Sequence, residues 1–339
     1  MTMREGLLRW QAGTFNIMGI GSYHEPVLAA EVLQLLVRMP GVYVDGTLGG
    51  GGHSLAILEE LERKGFLADS FLIGIDQDDH ALKAASGKLS GFSGSTAIIK
   101  GNFSAIAAIV RKISAERHFT DSVAGILLDL GVSSAQIDTP ERGFSYMRSG
   151  PLDMRMDPEA ESSAADLVNT LSERELVTLF FRYGEEPRSR SIARGIIDYR
   201  EKHGSILRTE ELAEIIRLRE ARPDRAIKTL SRVFQALRVE VNRELEVLEQ
   251  VLADGASLLS AQGRLAVISY HSLEDRMVKS FFTAQSSSDW GPKGVGLTEP
   301  LKKAEFAVVT RKPVASGQQE LSLNPRSRSA KLRVLEKLA

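Results

Sequence analysis

The sequence predicts an α/β protein in which a doubly wound parallel sheet is interrupted by an all-helical insertion. Short aliphatic runs that end in Gly or Asp alternate with helical patterns from residue 23 to about residue 130. The stretch that follows carries amphipathic helical patterns and no convincing strand, and the alternation resumes at residue 263. We therefore expect a sheet domain formed by residues 21–134 and 245–339 and a helical domain formed by residues 135–244.

The individual elements follow the hydrophobic pattern and its breaks. Before the insertion, the pattern predicts strands at 42–45, 71–76, 96–99 and 123–129, and helices near 26–38, 54–64, 79–89 and 103–115. Amphipathic periodicity predicts further helices near 172–183, 188–202, 209–219 and 229–258. The remaining chain carries a strand at 263–270, a helix at 273–282 and strands at 306–310 and 330–335, the last two joined by a polar loop. The insertion follows the fourth strand at the carboxyl edge, where ligands usually bind in open α/β sheets.

Composition narrows the class of protein without identifying a partner. Lys and Arg total 43 and Asp and Glu total 44, so a nucleic-acid surface has to arise from local clusters of charge. The absence of cysteine excludes disulfides, thiolate metal ligands and cysteine nucleophiles and fits a reducing compartment, so we expect a cytoplasmic protein. No apolar run approaches the roughly 18 residues of a membrane span. Residues 1–20 lack periodicity and are expected to form a disordered extension, with Met18 as a candidate native start.

A glycine-rich loop, "VDGTLGGGGHS" from Val44, follows the first strand. A turn without Cβ atoms lets a ligand approach the backbone amides closely. A P-loop is disfavoured because Gly52 and His53 occupy the positions of its Lys and Ser/Thr, and a dinucleotide fingerprint is disfavoured because its third glycine position falls on Ser54. The interpretation that remains is an S-adenosylmethionine site, in which the loop lies near the amino-acid end of the cofactor.

Two carboxylates at strand ends complete the predicted site. Asp76 ends the second strand and is suited to bind ribose hydroxyls, although a role at the start of the next helix, beside Asp78 and Asp79, is an alternative. Asp129 ends the fourth strand, where an isolated carboxylate is costly unless it binds something. It is either a structural partner of the amides around Gly131 or a catalytic group that accepts an N–H bond from an acceptor amine during methyl transfer.

Seven sequence blocks, in order, resemble those of the ribosomal RNA small-subunit methyltransferase H family, also called MraW. The blocks are "HEPVL" from His24, "VDGTLGGGGHS" from Val44, "DLGVSSAQID" from Asp129, "ERGFSYMRSGPLDMRMD" from Glu141, "RVFQALRVEVNREL" from Arg232, "ISYHSLEDRMVK" from Ile268 and "NPRSRSAKLR" from Asn324. The resemblance implies a class I S-adenosylmethionine-dependent methyltransferase fold with an inserted helical domain that recognises the substrate. It also implies methylation of N4 of a cytidine in the decoding region of 16S rRNA, on the small ribosomal subunit and without a metal.

The family's cofactor contacts carry over onto seven positions of this sequence. They are Gly51, Gly52, His53, Asp76, Phe103, Asp129 and Gln136. Asp129 is therefore a cofactor contact by resemblance and a catalytic residue by its chemistry, and one carboxylate between two ligands could serve both. Departures from the family pattern are small: Tyr146 and Tyr270 stand where Phe is expected, and Ser149 stands where Asp is common. Only Ser149 changes charge, which puts a carboxylate role there in doubt.

Candidate contacts with RNA are local clusters of basic residues. Residues 222–243 hold six basic residues against two acidic ones, and residues 311–339 hold seven against two. The second segment includes Arg326 and Arg328, which we expect to bind substrate. Such clusters can contact phosphates, which fix register without reading bases, or can be ordinary solvated surface.

A second group of candidate substrate residues lies in two family blocks. Arg142 and Phe144, at the entrance to the insertion, suit stacking on an unpaired base, and the target cytidine has to be exposed or extruded. His271 either faces the substrate or is a packing histidine. Ser272 and Asp275, which follow it, have the spacing of a helix capping box.

Three other functions remain as alternatives at this stage. They are a DNA or protein methyltransferase with the same cofactor, an NAD-dependent oxidoreductase, and a non-catalytic ribosome assembly factor that keeps the fold. We expect no membrane partner, and the sequence leaves open whether the protein is a monomer or a homodimer.

Overall fold

The structure, a computed structural model, describes residues 26–220, 222–291 and 298–339. The extension predicted for residues 1–20 and the start of the first family block lie outside these residues. Within the described ranges, no helix combines the length and the apolar character that crossing a bilayer requires.

The described residues form a seven-stranded sheet. Its strands are β1 (Val42–Asp45), β2 (Phe71–Asp76), β3 (Thr96–Lys100), β4 (Val123–Asp129), β5 (Leu259–Ser269), β6 (Phe306–Val308) and β7 (Lys331–Lys337). Their order is β3-β2-β1-β4-β5-β7-β6. Strands β1 to β5 are parallel, whereas β7 pairs antiparallel with both β5 and β6. The carboxyl ends of β1 to β4 therefore meet along one edge.

Helices lie on both faces of the sheet and in the segment between β4 and β5. Those of the described ranges are α1 (Ala29–Leu36), α2 (Gly52–Arg63), α3 (Asp79–Lys88), α4 (Ile106–Arg117), α5 (Ser134–Asp138), α6 (Ala164–Thr170), α7 (Glu173–Gly184), α8 (Ser189–His203), α9 (Thr209–Arg219), α10 (Pro223–Val241), α11 (Glu244–Leu258), α12 (Ser272–Gln285) and α13 (Gln318–Leu323).

Alternate side chains of each strand pack on opposite faces of the sheet. In β1, Val42 and Val44 belong to the hydrophobic cluster that includes α4 and α11, while Tyr43 belongs to the cluster formed with α1 and α2. All four residues of β1 are buried, as expected for a parallel strand that is covered on both faces. The predicted doubly wound α/β class is confirmed.

A separate hydrophobic cluster fills the helical segment between β4 and β5. Its buried members run from Phe144 to Leu237 and come from α6 to α10 and the loop that precedes them. Helix α11, by contrast, packs on the sheet through Leu248 and Val251. An inserted group of helices is thus observed, while the boundaries placed at 134/135 and 244/245 stay predictions.

The structure differs from the predicted elements at several points. The single helix predicted at 229–258 is wrong, because Arg243 has φ 49° and separates α10 from α11. The Asn242 side chain also donates to the Met154 carbonyl, at 2.8 Å, and no Gly or Pro marks this break in the sequence. Strand β5 begins at Leu259 rather than at residue 263. The short helices α5, α6 and α13 lie where the sequence pattern did not predict helices.

Candidate active site

The glycine loop connects β1 to α2. Gly51 has φ 75°, which favours glycine, and a Cβ there would lie 3.2 Å from Cα of Ala85. A Cβ at Gly46 would lie 2.7 Å from a buried leucine side chain. Packing thus accounts for these two glycines. At Gly49, by contrast, a Cβ would meet only one described atom within 4 Å, a carbonyl oxygen at 3.9 Å, so the backbone there is open to a ligand.

Asp76, at the end of β2, is tied to this loop. Its Oδ2 accepts a hydrogen bond from the Gly49 amide at 2.8 Å, and its Oδ1 accepts one from the Asp78 amide at 2.9 Å. Burial raises the pKa of the Asp76 carboxyl above its ordinary value, although the amide bonds oppose the shift. Asp78 is the residue that caps α3, through the His80 amide. Asp76 retains lone pairs for a ligand hydroxyl.

Asp129, at the end of β4, has a neighbour at each carboxylate oxygen. The Tyr270 hydroxyl donates a hydrogen bond of 2.8 Å to Oδ1, and His53 Nε2 lies 3.5 Å from Oδ2. The Asp129 amide donates to Thr47 Oγ1 at 2.6 Å, which fixes this strand end against the glycine loop. Burial, and after it the charge of Asp129, raises the pKa of the Tyr270 phenol, so the phenol stays a donor. The partners of the carboxylate are thus side chains rather than the amides around Gly131.

Asp45, the last residue of β1, lies beside His53. It is 1% exposed and accepts hydrogen bonds from Ser54 Oγ at 2.7 Å and from the Thr47 amide at 3.2 Å. Burial raises the pKa of the Asp45 carboxyl, and the charge interaction with His53 opposes that rise. His53 is itself buried, and among the described residues its Nε2 has no hydrogen-bond partner.

Two further predicted cofactor residues, Phe103 and Gln136, lie after β3 and β4. Phe103 is half-buried. A Cβ at Gly46 would lie 3.4 Å from the Phe103 Cβ, so the start of the Phe103 side chain borders the glycine loop. Gln136 is 7% exposed, and its Oε1 accepts a hydrogen bond of 2.9 Å from the Ser133 amide. Gln136 therefore shapes the turn after β4, and its contact with a cofactor stays a prediction.

The residues along this edge fit S-adenosylmethionine. The loop contains no lysine and so offers no ammonium to a triphosphate. Asp76 suits the ribose hydroxyls, Asp129 carries a charge opposite to that of a sulfonium, and Phe103 suits the base. The Gly49 amide donates a hydrogen bond to Asp76, so the conformation of the loop depends on this acidic residue at the end of β2.

Two residues predicted to contact RNA have protein partners instead. Arg142 Nη1 lies 2.8 Å from Asp78 Oδ2, and Nη2 donates to the carbonyls of Arg155 and Met156 at 3.0 and 2.9 Å. Phe144 is 9% exposed and packs in the hydrophobic cluster of the insertion. The structure does not support the predicted stacking role for either residue. Arg142 joins the insertion to the start of α3, and Phe144 stabilises the insertion.

His271 lies in a buried charged cluster. Its Nδ1 accepts a hydrogen bond of 3.4 Å from the Glu274 amide, and its Nε2 lies 3.1 Å from Glu274 Oε1. The capping box of α12 is therefore formed by His271 and Glu274, and the prediction of Ser272 with Asp275 is wrong by one residue. This placement favours the packing role for His271 over the substrate contact. Burial acts to raise the pKa of Glu274, but the interactions with His271 and Arg238 outweigh it and hold that pKa low.

The same cluster has the spacing of a metal site. Donor atoms of Glu244, His271 and Glu274 lie within 4.8 Å of one another. Arg238, however, donates to both oxygens of Glu244, at 2.8 and 2.9 Å. This guanidinium already supplies positive charge to the carboxylates, so ion pairs account for the cluster. Among the described residues, His271 Nε2 has no hydrogen-bond partner.

Arg326 and Arg328 lie on a short helical turn before β7. Arg328 is exposed, while Arg326 Nη2 lies 3.0 Å from Asp138 Oδ2. Asp138 ends α5, the helix that also carries Gln136. The two arginines thus lie on the side of the site where the chain enters the insertion, and their contact with RNA stays a prediction.

The sheet order with its antiparallel β7, the glycine loop after β1 and the acidic ends of β2 and β4 define a class I S-adenosylmethionine-dependent methyltransferase. The protein-family model of the MraW methylase family matches residues 21–338. The chain belongs to that family.

Curated relatives of the chain share one name, Ribosomal RNA small subunit methyltransferase H. The relative from Chlorobium limicola is 99% identical over 322 residues, which cover 95% of this chain and 100% of the relative. The relative from Chlorobium phaeobacteroides is 62% identical over 318 residues, with coverage of 94% and 97%. The one from Pelodictyon phaeoclathratiforme is 61% identical over 316 residues, with coverage of 93% and 95%.

Sequence reasoning missed three residues that shape this site. Asp45 carries the signal that identified Asp76, since it is an acidic residue at the end of an apolar strand. Tyr270 differs from the expected Phe only by its hydroxyl, and that hydroxyl is the atom that contacts Asp129. Arg238 is one of the basic residues of the cluster at 222–243, which the sequence predicts as candidate phosphate contacts, whereas the structure pairs it with Glu244.

Proposed function

We propose that this protein transfers a methyl group from S-adenosylmethionine to N4 of a cytidine in the decoding region of 16S rRNA, on the small ribosomal subunit in the cytoplasm. The observation that carries the proposal is the position of Asp129 at the strand edge that also bears the glycine loop. Relatives named Ribosomal RNA small subunit methyltransferase H, up to 99% identical, support the substrate class.

The predicted cofactor residues lie at or just after the carboxyl ends of β1 to β4, and each end binds a different part of the cofactor. The backbone of Gly51 and Gly52 lies beside the amino-acid end of the cofactor, Asp76 accepts hydrogen bonds from the ribose, and Phe103 contacts the base. Gln136 closes the site from the turn after β4. S-adenosylmethionine supplies a methyl group that is already activated, so the chain's own task is to position the acceptor and to accept its proton.

Asp129 acts on the acceptor amine in this proposal. The lone pair of a cytosine amine is delocalised into the ring, and a carboxylate that accepts one N–H bond localises electron density on the nitrogen. Tyr270 occupies Oδ1 of Asp129, so Oδ2 has the capacity to take this bond. The burial of the surrounding residues strengthens that interaction, because nearby water would weaken it.

The substrate RNA is held by the insertion and by the segment before β7. Arg326 and Arg328 contact phosphates near the site, and the exposed Arg225 and Lys228 of α10 contact phosphates farther away. Arg142, Phe144 and His271 support these surfaces from inside. Each of these three residues has partners within the protein. Their presence in the sequence can therefore be explained without a direct contact with the base.

The test is methyl transfer into purified 30S subunits that lack the modification. Labelled S-adenosylmethionine is supplied, the rRNA is digested, and the nucleosides are identified by mass spectrometry. We expect N4-methylcytidine from a single site, and Asp129→Asn as the matched control should yield none. Label in protein, in DNA or on another atom of the base would contradict the proposal.

Calorimetry separates the remaining alternatives. S-adenosylhomocysteine should bind and NAD should not; binding of NAD instead would identify an oxidoreductase. Binding of S-adenosylhomocysteine without turnover on either 30S subunits or free rRNA would favour a non-catalytic assembly factor.

A further inference from the structure

His53 has a buried imidazole nitrogen that the cofactor assignment does not use. It lies in the first turn of α2, its side chain is 8% exposed, and Nε2 has no hydrogen-bond partner among the described residues. A buried polar atom left without a partner destabilises the folded state, because it has lost its hydrogen bonds to water and gained none. Such an atom is expected to have a function or a ligand that offsets the cost.

The nearest group to this nitrogen is Asp129. Nε2 lies 3.5 Å from Oδ2, which is too long for a hydrogen bond but close enough for one to form after a small movement. The other oxygen, Oδ1, is occupied by the Tyr270 hydroxyl. Oδ2 is therefore the oxygen that faces His53 and is not bonded to Tyr270.

A second acidic residue interacts with the imidazole at this position. Asp45 is buried and interacts electrostatically with His53. An imidazolium at residue 53 would thus have Asp45 from β1 and Asp129 from β4 as anionic neighbours. Tyr270 is the other titratable group that contacts Asp129.

We propose that His53 is the proton relay behind Asp129, receiving through Oδ2 the proton that the acceptor amine loses. The inference rests on the proposed function. The amine lone pair forms the new N–C bond while the methyl–sulfur bond breaks and its electron pair stays on sulfur. The amine then gives one proton to Asp129 Oδ2, and His53 Nε2 takes that proton, which restores the carboxylate. His53 returns the proton to solvent as the products leave.

The relay is tested by single-turnover methyl transfer with His53→Gln and with His80→Gln as a matched control. His80 is an exposed histidine on α3. We expect His53→Gln to slow the transfer at least about tenfold, to leave the affinity for S-adenosylhomocysteine within about twofold, and to remove a titration from the pH profile of the rate. His80→Gln should match the wild type. Melting temperatures of both variants report whether they fold.

A measurement without cofactor tests the contact between His53 and Asp129 directly. In NMR spectra of the full chain, Asp129→Asn should shift the ring resonances of His53, because the imidazole loses the carboxylate that lies 3.5 Å from Nε2. Asp121→Asn, an exposed residue before β4, should leave them unchanged.

The outcomes distinguish the relay from the proposed function. Wild-type protein that makes no N4-methylcytidine overturns both. Active wild type with an equally active His53→Gln across the neutral pH range overturns the relay alone. A His53→Gln variant that loses affinity for S-adenosylhomocysteine in proportion to its rate also overturns the relay, since His53 would then act as a cofactor contact only.

Discussion

The Tyr270 hydroxyl donates a hydrogen bond of 2.8 Å to Oδ1 of Asp129, and this bond fixes which carboxylate oxygen remains for the substrate. Tyr270→Phe removes the hydroxyl alone. We expect single-turnover methyl transfer to slow about fivefold, because one such bond contributes about 1 kcal/mol, with no change in affinity for S-adenosylhomocysteine. The comparison uses quench-flow rates on 30S subunits and calorimetry. An unchanged rate would show that the carboxylate is held without the phenol.

Asp129→Ala should reduce turnover at least about a hundredfold, because the amine loses the group that accepts its N–H bond. The measurement is label transfer into 30S subunits at saturating cofactor. Asp129→Asn keeps the volume and removes the charge, so the two variants should be equally inactive. Their affinity for S-adenosylhomocysteine decides between the two roles: retained affinity assigns Asp129 to the amine, and lost affinity assigns it to the cofactor as well. Full activity in Asp129→Ala would refute both roles.

The ion pair of Arg142 and Asp78 should contribute to folding stability. Their side chains are 20% and 10% exposed, and the pair joins the insertion to α3. A double-mutant cycle with Arg142→Met and Asp78→Asn, measured by urea unfolding, should give a coupling energy of about 1–3 kcal/mol. The exposed pair Lys100 and Asp79 serves as the control, with an expected coupling well below that of the partly buried pair. Equal coupling in both pairs would show that the partly buried pair contributes no more to stability than the exposed one.

Asp275 should make the stability of the protein depend on pH. Burial acts to raise the pKa of its carboxyl, but the bonds from Arg333 at 2.7 Å and Lys331 at 3.1 Å lower it further than burial raises it. A carboxyl whose pKa is lower in the folded state stabilises fully above its unfolded value of about 3.9, and the contribution is lost as the pH falls through the folded value.

The corresponding experiment compares wild type with Asp275→Asn in urea at neutral and acidic pH. The free energy of unfolding of the variant should be lower than that of the wild type by about 1–3 kcal/mol at neutral pH. This difference between the two proteins should disappear as the pH falls below about 4. Asp121→Asn, at an exposed site, should show no such difference at either pH. A difference for Asp275→Asn that does not depend on pH would assign its effect to packing.

Replacing Arg326 and Arg328 by Ala should weaken binding of RNA and reduce its dependence on salt. Two lost phosphate contacts lower the slope of log affinity against log salt by about 1.5. Filter binding to 30S subunits at several salt concentrations measures this slope. Arg111→Ala with Lys112→Ala removes the same charge from exposed positions on α4 and should leave the slope unchanged. Equal slopes for the two double variants would place the RNA elsewhere.

The ends of β1, β2 and β4 could be predicted from the sequence, because each of these three apolar runs closes on an acidic residue. The pattern gave β1, β2 and β4 with Asp45, Asp76 and Asp129 at their ends, as the structure has them. Parallel order then requires those ends to lie along one edge. The break at Arg243 could not be predicted, because a left-handed arginine without a neighbouring glycine depends on tertiary contacts such as that of Asn242.

Side-chain partners were the part that the sequence could not supply. Arg142 and Phe144 have the composition of a base-stacking pair, yet Arg142 bonds to Asp78, which is 64 residues away in the chain. Likewise, Tyr270 and Asp129 are 141 residues apart. The first contact follows from the packing of the insertion against the sheet, and the second from the pairing of β4 with β5. No local pattern encodes either contact.

Asp76 and Asp78 stand two positions apart, one bonded to Gly49 of the glycine loop and the other to Arg142 of the insertion. This short run of backbone therefore joins the glycine loop to the inserted helices. Under the proposed function, any coupling between the two sites would be reciprocal: the factor by which the methyl donor changes the affinity for RNA would equal the factor by which RNA changes the affinity for the donor.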